Sequence, residues 1–144
     1  MVSIATPPAF AHTMTHRVCY AETDRMQRVY YANYLVWSER SRTEALRMMG
    51  FPYSTIETRG FLLPVREANV RYFGFADYDD EVTFTSWITQ ISRARVTFTT
   101  YIYKIDQLIA VCTVELACVN LDAKPTAIPN DVAEALKRYF QPIS

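Results

Sequence analysis

Residues 31–49, YANYLVWSERSRTEALRMM, carry the pattern that decides the fold of this chain. Residues suited to one helix face recur there at intervals of three and four positions: Tyr31, Tyr34, Leu35, Ser38, Arg42, Ala45, Leu46 and Met49. This spacing predicts one long helix, with Gly50 as its C-terminal cap and Pro52 preventing the helix from resuming. Because Ser38 and Arg42 share that face with apolar residues, we expect it to be packed but not wholly dry.

Beyond this helix the hydrophobic pattern changes to strict alternation, which is typical of strands. Four stretches show it: Phe61–Phe73, Glu81–Ile91, Arg95–Lys104 and Leu108–Asn120. Short polar turns such as 92–93 and 106–107 separate them, so we expect antiparallel neighbours in a four-strand meander. Within the third stretch, Val96, Phe98, Thr100 and Ile102 share one face. The sheet therefore has one strongly apolar side, on which the long helix should pack.

The two ends of the chain complete an α+β domain. Residues 13–21 predict a short strand, followed by a polar loop over 22–28. Near the other end, Pro129 and Asn130 precede an apolar stripe that predicts a short closing helix. The members of that stripe are Val132, Ala135, Leu136 and Tyr139. We expect a flexible N-terminal tail over residues 1–12 and one domain over residues 13–144.

Composition narrows the function classes. The chain has 144 residues, 50% of them hydrophobic, which favours a globular domain over a disordered segment. Its formal net charge is zero, so no global field attracts nucleic acid or an anionic membrane. Its three cysteines show no CxxC or Cys/His ligand spacing, so we expect neither disulfides nor a metal, and no cofactor. The beginning of the chain has no basic signal-like region, and we expect a cytoplasmic protein.

The most informative segment for chemistry is residues 20–34, YAETDRMQRVYYANY. Asp24 precedes the predicted helix start, Tyr31, by seven residues, and a loop of that length can turn back on itself. Its carboxylate could then face the free N–H groups of the helix N-terminus, which stabilise developing negative charge. An aspartate in such a loop is also a common turn former, so the position alone does not decide its role.

This segment resembles the 4-hydroxybenzoyl-CoA thioesterase branch of the hot-dog superfamily, which includes acyl-CoA thioesterases associated with the Tol-Pal cluster. The residues that match the family pattern are Tyr20, Thr23, Asp24, Val29, Tyr30, Tyr31, Asn33, Tyr34, Leu35 and Trp37. The likeness continues along the helix through Glu39, Arg40, Arg42, Thr43 and Glu44, and again in PVREANVRYFGFADYDDEV at residues 64–82. The resemblance implies a hot-dog fold, with an antiparallel sheet of about five strands wrapped around one long helix.

The same resemblance implies a thioester hydrolase that cleaves acyl-CoA or acyl-carrier thioesters. Asp24 is then the nucleophile or general base, and the Tyr31 backbone N–H polarises the carbonyl oxygen. Since a thioester carbonyl is weakly resonance-stabilised and its thiolate leaves readily, one carboxylate and one or two fixed donors suffice. We expect five further residues to bind substrate, namely Tyr30, Tyr34, Arg42, Arg93 and Arg95. The two tyrosines also suit the core or a subunit interface, and Arg42 matches a helix arginine of family members that act on carrier-bound thioesters. The arginines at the hairpin would meet the phosphates of CoA, although hairpin charges often only solvate an edge.

The family also implies a homodimer or homotetramer with sites between subunits. Two positions depart from its pattern, since Gln27 replaces the usual Gly and Arg28 stands where an apolar residue is common. Three alternatives therefore stay open. One is a thioesterase for carrier-protein-bound polyketide or fatty acyl chains. Another is a non-catalytic acyl- or CoA-binding module. The third is a dehydratase, for which a catalytic His is needed and only His12 and His16 exist.

Overall fold

The computed structural model describes residues 4–143. In chain order its elements are β1 His12–Arg17, α1 Asn33–Met48, α2 Tyr53–Thr58, β2 Phe61–Leu62, β3 Val65–Tyr72, β4 Glu81–Ile91, β5 Arg95–Lys104, β6 Gln107–Ala117, β7 Val119–Asn120 and α3 Asn130–Lys137. Five strands form an antiparallel sheet in the order β1-β4-β5-β6-β3, and β2 pairs with β7 in a separate small sheet. The predicted α+β hot-dog architecture, with one long helix and a short C-terminal helix, is confirmed.

The long helix α1 packs on the side of the sheet that the alternation of β5 predicted. Trp37 is fully buried and its ring stacks on Phe84 of β4, with 5.4 Å between centroids. Deeper in the interface, Ser41 Oγ lies 2.5 Å from Ser86 Oγ, which in turn lies 2.6 Å from Thr100 Oγ1. These three hydroxyls satisfy one another inside an otherwise apolar contact, which removes the cost of burying them. The helix face is therefore packed and partly polar, as its sequence predicted.

The predicted four-strand meander is wrong in one respect. Strands β4, β5 and β6 follow one another in the sheet, but β3 pairs with β6 rather than with β4. The neighbour of β4 on its other side is β1. Short turns force adjacent strands to pair, whereas the connection over residues 73–80 is long enough to cross the sheet. Local patterns therefore placed three strands correctly and misplaced the fourth.

Two predicted strands are interrupted, and the expectation that Pro52 prevents a helix from resuming is wrong, although α1 itself ends at Met48. The Phe61–Phe73 stretch divides at residues 63–64, and the Leu108–Asn120 stretch divides at Cys118, whose N–H bonds to Ala94 O at 2.7 Å. Helical structure resumes directly after Pro52, since α2 begins at Tyr53. Proline is tolerated at a helix start because the first N–H groups of a helix have no intrahelical acceptor.

The segments at the two ends lie against the sheet where the structure describes them. Ile88 of β4 donates its N–H to Tyr139 O and accepts from Gln141 N–H, at 3.1 and 2.9 Å. The Phe10 ring meets Tyr139 edge-on at 6.0 Å, and residues 1–3 of the predicted tail lie outside the described residues. The bounds of that tail and of the domain stay predictions. Over residues 4–143, no helix has the length and apolar character needed to cross a bilayer.

Candidate active site

Asp24 lies at one end of a tight two-stranded loop. Thr23 bridges to Val29, the Asp24 N–H donates to Arg28 O at 2.7 Å, and the Gln27 N–H donates to Asp24 O at 3.0 Å. Gln27 has φ of 63°, in the left-handed region that favours glycine. The turn itself thus accounts for the glycine that the family usually has here. Gln27 adopts the same conformation at a cost in backbone strain. Its side chain is exposed on the turn and does not block a cavity.

The Asp24 side chain has the turn-forming role that its position also allowed. Its Oδ1 accepts the N–H groups of Met26 and Arg28, at 2.8 and 3.3 Å. Both bonds use the same oxygen, and no bond to Oδ2 is found among the described residues. Two backbone donors thus orient the carboxylate through one of its oxygens.

Asp24 and Tyr31 line the same cavity, which has a volume of about 330 Å³. Its other lining residues are mostly aromatic: Arg28, Val29, Tyr30, Tyr34, Tyr72, Gly74 and Phe75. The Tyr30 and Tyr31 rings lie 4.8 Å apart, and the Tyr34 and Tyr72 rings meet edge-on at 5.2 Å. A carboxylate therefore faces a largely apolar space of small-molecule size, which is the usual character of a ligand site.

The amide end of α1 lies at this cavity. The helix begins at Asn33, two residues later than predicted, with Ala32 in the capping position. Among residues 4–143, the N–H groups of Tyr31 and Ala32 form no backbone–backbone hydrogen bond. The Tyr72 hydroxyl donates to Tyr31 O at 2.8 Å and so holds the next peptide in place. Free amides at a helix start carry partial positive charge and can donate hydrogen bonds to an oxyanion.

Arg28 adds a cation to the cavity wall. Its guanidinium carbon lies 3.7 Å above the centroid of the Phe75 ring, and its Nε lies 3.7 Å from Asp77 Oδ1. These contacts hold the Arg28 side chain against the wall of the Asp24 cavity, so it does not extend across the cavity.

Two other residues predicted to bind substrate have contrasting surroundings. Tyr34 is buried, and its hydroxyl accepts the Ala76 N–H at 3.3 Å; burial raises the pKa of Tyr34. Arg42 lines two different cavities, of about 260 and 200 Å³, with apolar neighbours such as Leu46 and Val65. Desolvation lowers the pKa of Arg42, and nearby Glu39 acts in the opposite direction. The structure thus places Tyr34 at the Asp24 cavity and Arg42 elsewhere along α1.

The two hairpin arginines do not reach the Asp24 cavity within one described chain. Arg95 NH1 lies 3.6 Å from Glu115 Oε1, and Arg95 lines a cavity of about 660 Å³ on the other face of the sheet. Arg93 is exposed, and its carbonyl accepts the Ile128 N–H at 2.8 Å.

Glu22 is a residue that sequence reasoning missed. Its carboxylate accepts three N–H groups, from Cys19 backbone at 2.8 Å, His16 Nε2 at 2.8 Å and Trp37 Nε1 at 2.5 Å. Burial alone would raise the pKa of Glu22, but the hydrogen bonds from Cys19, His16 and Trp37 together lower it. No sequence signal joins a glutamate in a loop to a tryptophan in a helix, because their contact depends on the fold.

Glu22 also belongs to a possible donor set for a metal. Ligand atoms of His16, Cys19 and Glu22 lie within 4.8 Å of one another, which their sequence spacing did not suggest. However, Arg40 NH1 lies 3.0 Å from His16 Nδ1 and can only donate, so the imidazole proton belongs on Nε2, toward Glu22. The imidazole and carboxylate atoms that a metal would need thus already bond to each other, and we assign no metal centre here.

Comparison with known proteins identifies the class. Residues 18–136 match the family model described as the thioesterase-like superfamily, and the chain belongs to that superfamily. The predicted enzyme class, a thioester hydrolase, is confirmed by this membership together with the relatives and solved structures described next.

Curated relatives agree with this assignment. The chain is 32% identical over 121 residues to the acyl-CoA thioesterase YbgC of Haemophilus influenzae, covering 83% of this chain and 89% of that protein. It is 32% identical over 124 residues to the acyl-CoA thioester hydrolase YbgC of Escherichia coli O6:H1, covering 85% and 92%. The putative acyl-CoA thioesterase YneP of Bacillus subtilis is 40% identical over 86 residues, which span 60% of this chain and 62% of that relative.

Solved structures with the same fold include two thioesterases. A probable thioesterase from Bartonella henselae superposes with a TM-score of 0.78 at 30% identity, covering 83% of this chain and 99% of that one. A DHNA-CoA thioesterase from Staphylococcus aureus superposes with a TM-score of 0.84 at 29% identity, covering 89% of each chain.

The lowered pKa of Glu22 predicts how the stability of the fold depends on pH. Because this pKa is below its ordinary value of 4.5, the stabilisation by ionised Glu22 is present above pH 4.5 and is lost as pH falls through the folded-state value. We expect Glu22→Gln to lower the free energy of unfolding by about 1–3 kcal/mol at pH 7 and by clearly less at pH 3.5. Urea unfolding at both pH values measures this difference.

The matched control is Glu57→Gln, since Glu57 is exposed on α2 and should change little at either pH. A Glu22→Gln deficit that stays constant down to pH 3.5 would contradict the hydrogen-bond assignment.

Proposed function

We propose that this protein hydrolyses acyl-CoA thioesters to a free acid and CoA, with Asp24 and the N-terminus of α1 as its reactive groups. The observation that carries the proposal is that Asp24 and Tyr31 line one aromatic cavity. The names of the YbgC relatives support the same substrate class. Without that geometry, Asp24 would be only a turn-forming residue.

The proposed reaction starts with the thioester carbonyl in the cavity and its oxygen toward the Tyr31 N–H. Asp24 Oδ1 is held by its two backbone donors, so Oδ2 acts. In one route it attacks the carbonyl carbon, expelling thiolate and leaving an anhydride that water cleaves. In the other it takes a proton from the attacking water, the C–S bond of the resulting tetrahedral adduct breaks, and the thiolate leaves and is protonated. In both routes negative charge develops on the carbonyl oxygen, and the free amides before Asn33 stabilise it.

The non-catalytic alternative depended on Gln27 and Arg28 obstructing the site. Gln27 is exposed on the turn, and Arg28 lies against Phe75 on the cavity wall. Both positions support an open, reactive cavity over a blocked one. A carrier-bound acyl chain would use the same reactive groups, so the choice between CoA and carrier protein depends on contacts outside this cavity.

The decisive experiment is thioester turnover by Asp24→Asn. The amide keeps an acceptor oxygen for the turn but is neither a base nor an effective nucleophile, so we expect kcat to fall by about 10²–10⁴-fold. The rate at which free thiol is released from a panel of acyl-CoA thioesters measures kcat for each variant. Asp106→Asn, at an exposed turn, is the matched control and should retain the wild-type rate. Equal rates for wild type and Asp24→Asn would disprove the proposed role.

We also propose that Arg93 and Arg95 bind the phosphates of CoA. Within a single chain these two arginines lie away from the Asp24 cavity. The double variant Arg93→Met, Arg95→Met should raise KM for acyl-CoA about tenfold, or about 1.4 kcal/mol, with kcat unchanged. KM for the matching acyl-pantetheine, which lacks the nucleotide, should not change. Arg138→Met, another exposed arginine, is the control. Equal increases in KM for both substrates would contradict phosphate binding.

The open β3 edge of the sheet, one of two edges with β1, supports a proposal about the quaternary state. Strand β3 has no second neighbour in the described chain, and Val65 at its start is 53% exposed. An open edge beside exposed Leu35 and Val36 favours pairing with a second copy, and we propose a homodimer or homotetramer.

We therefore expect sedimentation equilibrium to give a mass of two or four times 16.7 kDa. Val36→Glu should shift the protein toward monomer, because it places like charges in the interface. Met48→Glu, also exposed on α1, is the control and should leave the mass unchanged. A wild-type monomer at assay concentrations would contradict the proposal.

A further inference from the structure

Glu22 connects three parts of the fold through one side chain. Its Oε1 accepts His16 Nε2 from β1 and the Cys19 N–H from the following loop, both at 2.8 Å. Its Oε2 accepts Trp37 Nε1 from α1 at 2.5 Å. The Glu22 side chain is only 18% exposed, so these bonds are partly shielded from water. Hydrogen bonds to a charged, half-buried acceptor are stronger than those between neutral groups.

Each donor to this carboxylate is itself held in place. The Trp37 ring stacks on Phe84, and the His16 ring lies 5.6 Å from Trp37 and 5.8 Å from Phe84. On its other nitrogen, His16 accepts the Arg40 NH1 group at 3.0 Å. The carboxylate thus lies among donors that the core and α1 fix, and it cannot move without breaking several contacts.

The backbone of Glu22 extends the connection to both halves of the candidate site. Its carbonyl accepts the Tyr30 N–H at 2.9 Å and Asn33 Nδ2 at 2.8 Å. Tyr30 directly precedes the Tyr31 amide, and Asn33 begins α1. In the other direction, Asp24 follows Glu22 by two residues. One residue therefore holds the chain on either side of the gap between carboxylate and amide.

We propose that Glu22 is a positioning residue for thioester hydrolysis, which holds the Asp24 loop against the N-terminus of α1 through Trp37, His16 and Asn33. This inference rests on the proposed function, because it assigns Glu22 a role only through Asp24 and Tyr31. Glu22 does not line the Asp24 cavity, so it does not touch the substrate. Glu22 instead sets the separation of the Asp24 carboxylate and the Tyr31 N–H, which are the two groups that touch the substrate.

The expected effect of Glu22→Gln follows from its donors. The amide of Gln offers one acceptor oxygen instead of two and adds an N–H₂ group that faces other donors, so at least one contact must open. A displacement of about 1 Å at a reacting group can lower a rate by about 10²-fold. We expect kcat to fall about 10- to 100-fold while KM changes less than about threefold, because the residues that line the cavity are unchanged.

The test is a double-mutant cycle with four proteins: wild type, Glu22→Gln, Asp24→Asn and the double variant. If Glu22 acts through Asp24, adding Glu22→Gln to Asp24→Asn lowers the remaining rate less than about twofold. If the losses of kcat caused by the two substitutions multiply in the double variant, the inference is overturned. A wild-type kcat for Glu22→Gln would overturn it as well. Glu57→Gln is the control and should have the wild-type kcat and KM. If instead Asp24→Asn retains the wild-type rate, the proposed function fails independently of what Glu22→Gln does.

Two further measurements separate positioning from simple loss of fold. Trp37→Phe removes one donor but keeps a large ring, so its kcat should fall less than that of Glu22→Gln while its fold is retained. Calorimetric titration with a thioether analogue of acyl-CoA, which cannot be hydrolysed, should give equal Kd values for wild type and Glu22→Gln. A parallel loss of analogue binding and of kcat would show a general structural defect and overturn the positioning role.

Discussion

The burial of α1 against the inner face of the sheet is the contact on which the rest of this structure depends. Trp37 is completely removed from water and stacks on Phe84, which sets the rotation of the helix about its axis. The chain of hydroxyls from Ser41 through Ser86 to Thr100 pairs a polar group of the helix with polar groups of two strands. Apolar burial supplies the driving force for this contact, and the hydroxyl chain satisfies three of the polar groups buried in it.

Once α1 is placed, the position of its N-terminus is determined. Its first residue, Asn33, bonds to the Glu22 carbonyl, and Trp37 one turn later bonds to the Glu22 carboxylate. The same helix that fills the core thus anchors the loop that carries Asp24. The Asp24 carboxylate would sample many positions on an unsupported loop, and the rigid helix and the shielded Glu22 acceptor restrict that freedom.

The candidate site was predictable where local chemistry decides it and not where distant residues meet. The position of Asp24 before a helix start, together with the family likeness of residues 20–34, was enough to place it with Tyr30, Tyr31 and Tyr34. The turn that Asp24 forms and the left-handed Gln27 are also local features. By contrast, Tyr72 ends β3 and Phe75 lies in the connection that follows, and their approach to Asp24 needs the whole sheet. Arg42 and Arg95 stand in other cavities for the same reason.

By itself the sequence determined where the long helix, the main strands and the closing helix lie, since the spacing of apolar residues is a property of neighbours along the chain. It also determined which side of β5 faces α1. Only the tertiary structure decided that β3 pairs with β6 at the edge, that Pro52 begins a helix, and that Glu22 joins His16 to Trp37. Those outcomes depend on contacts between residues far apart in the chain, whose energies exist only after the core has formed.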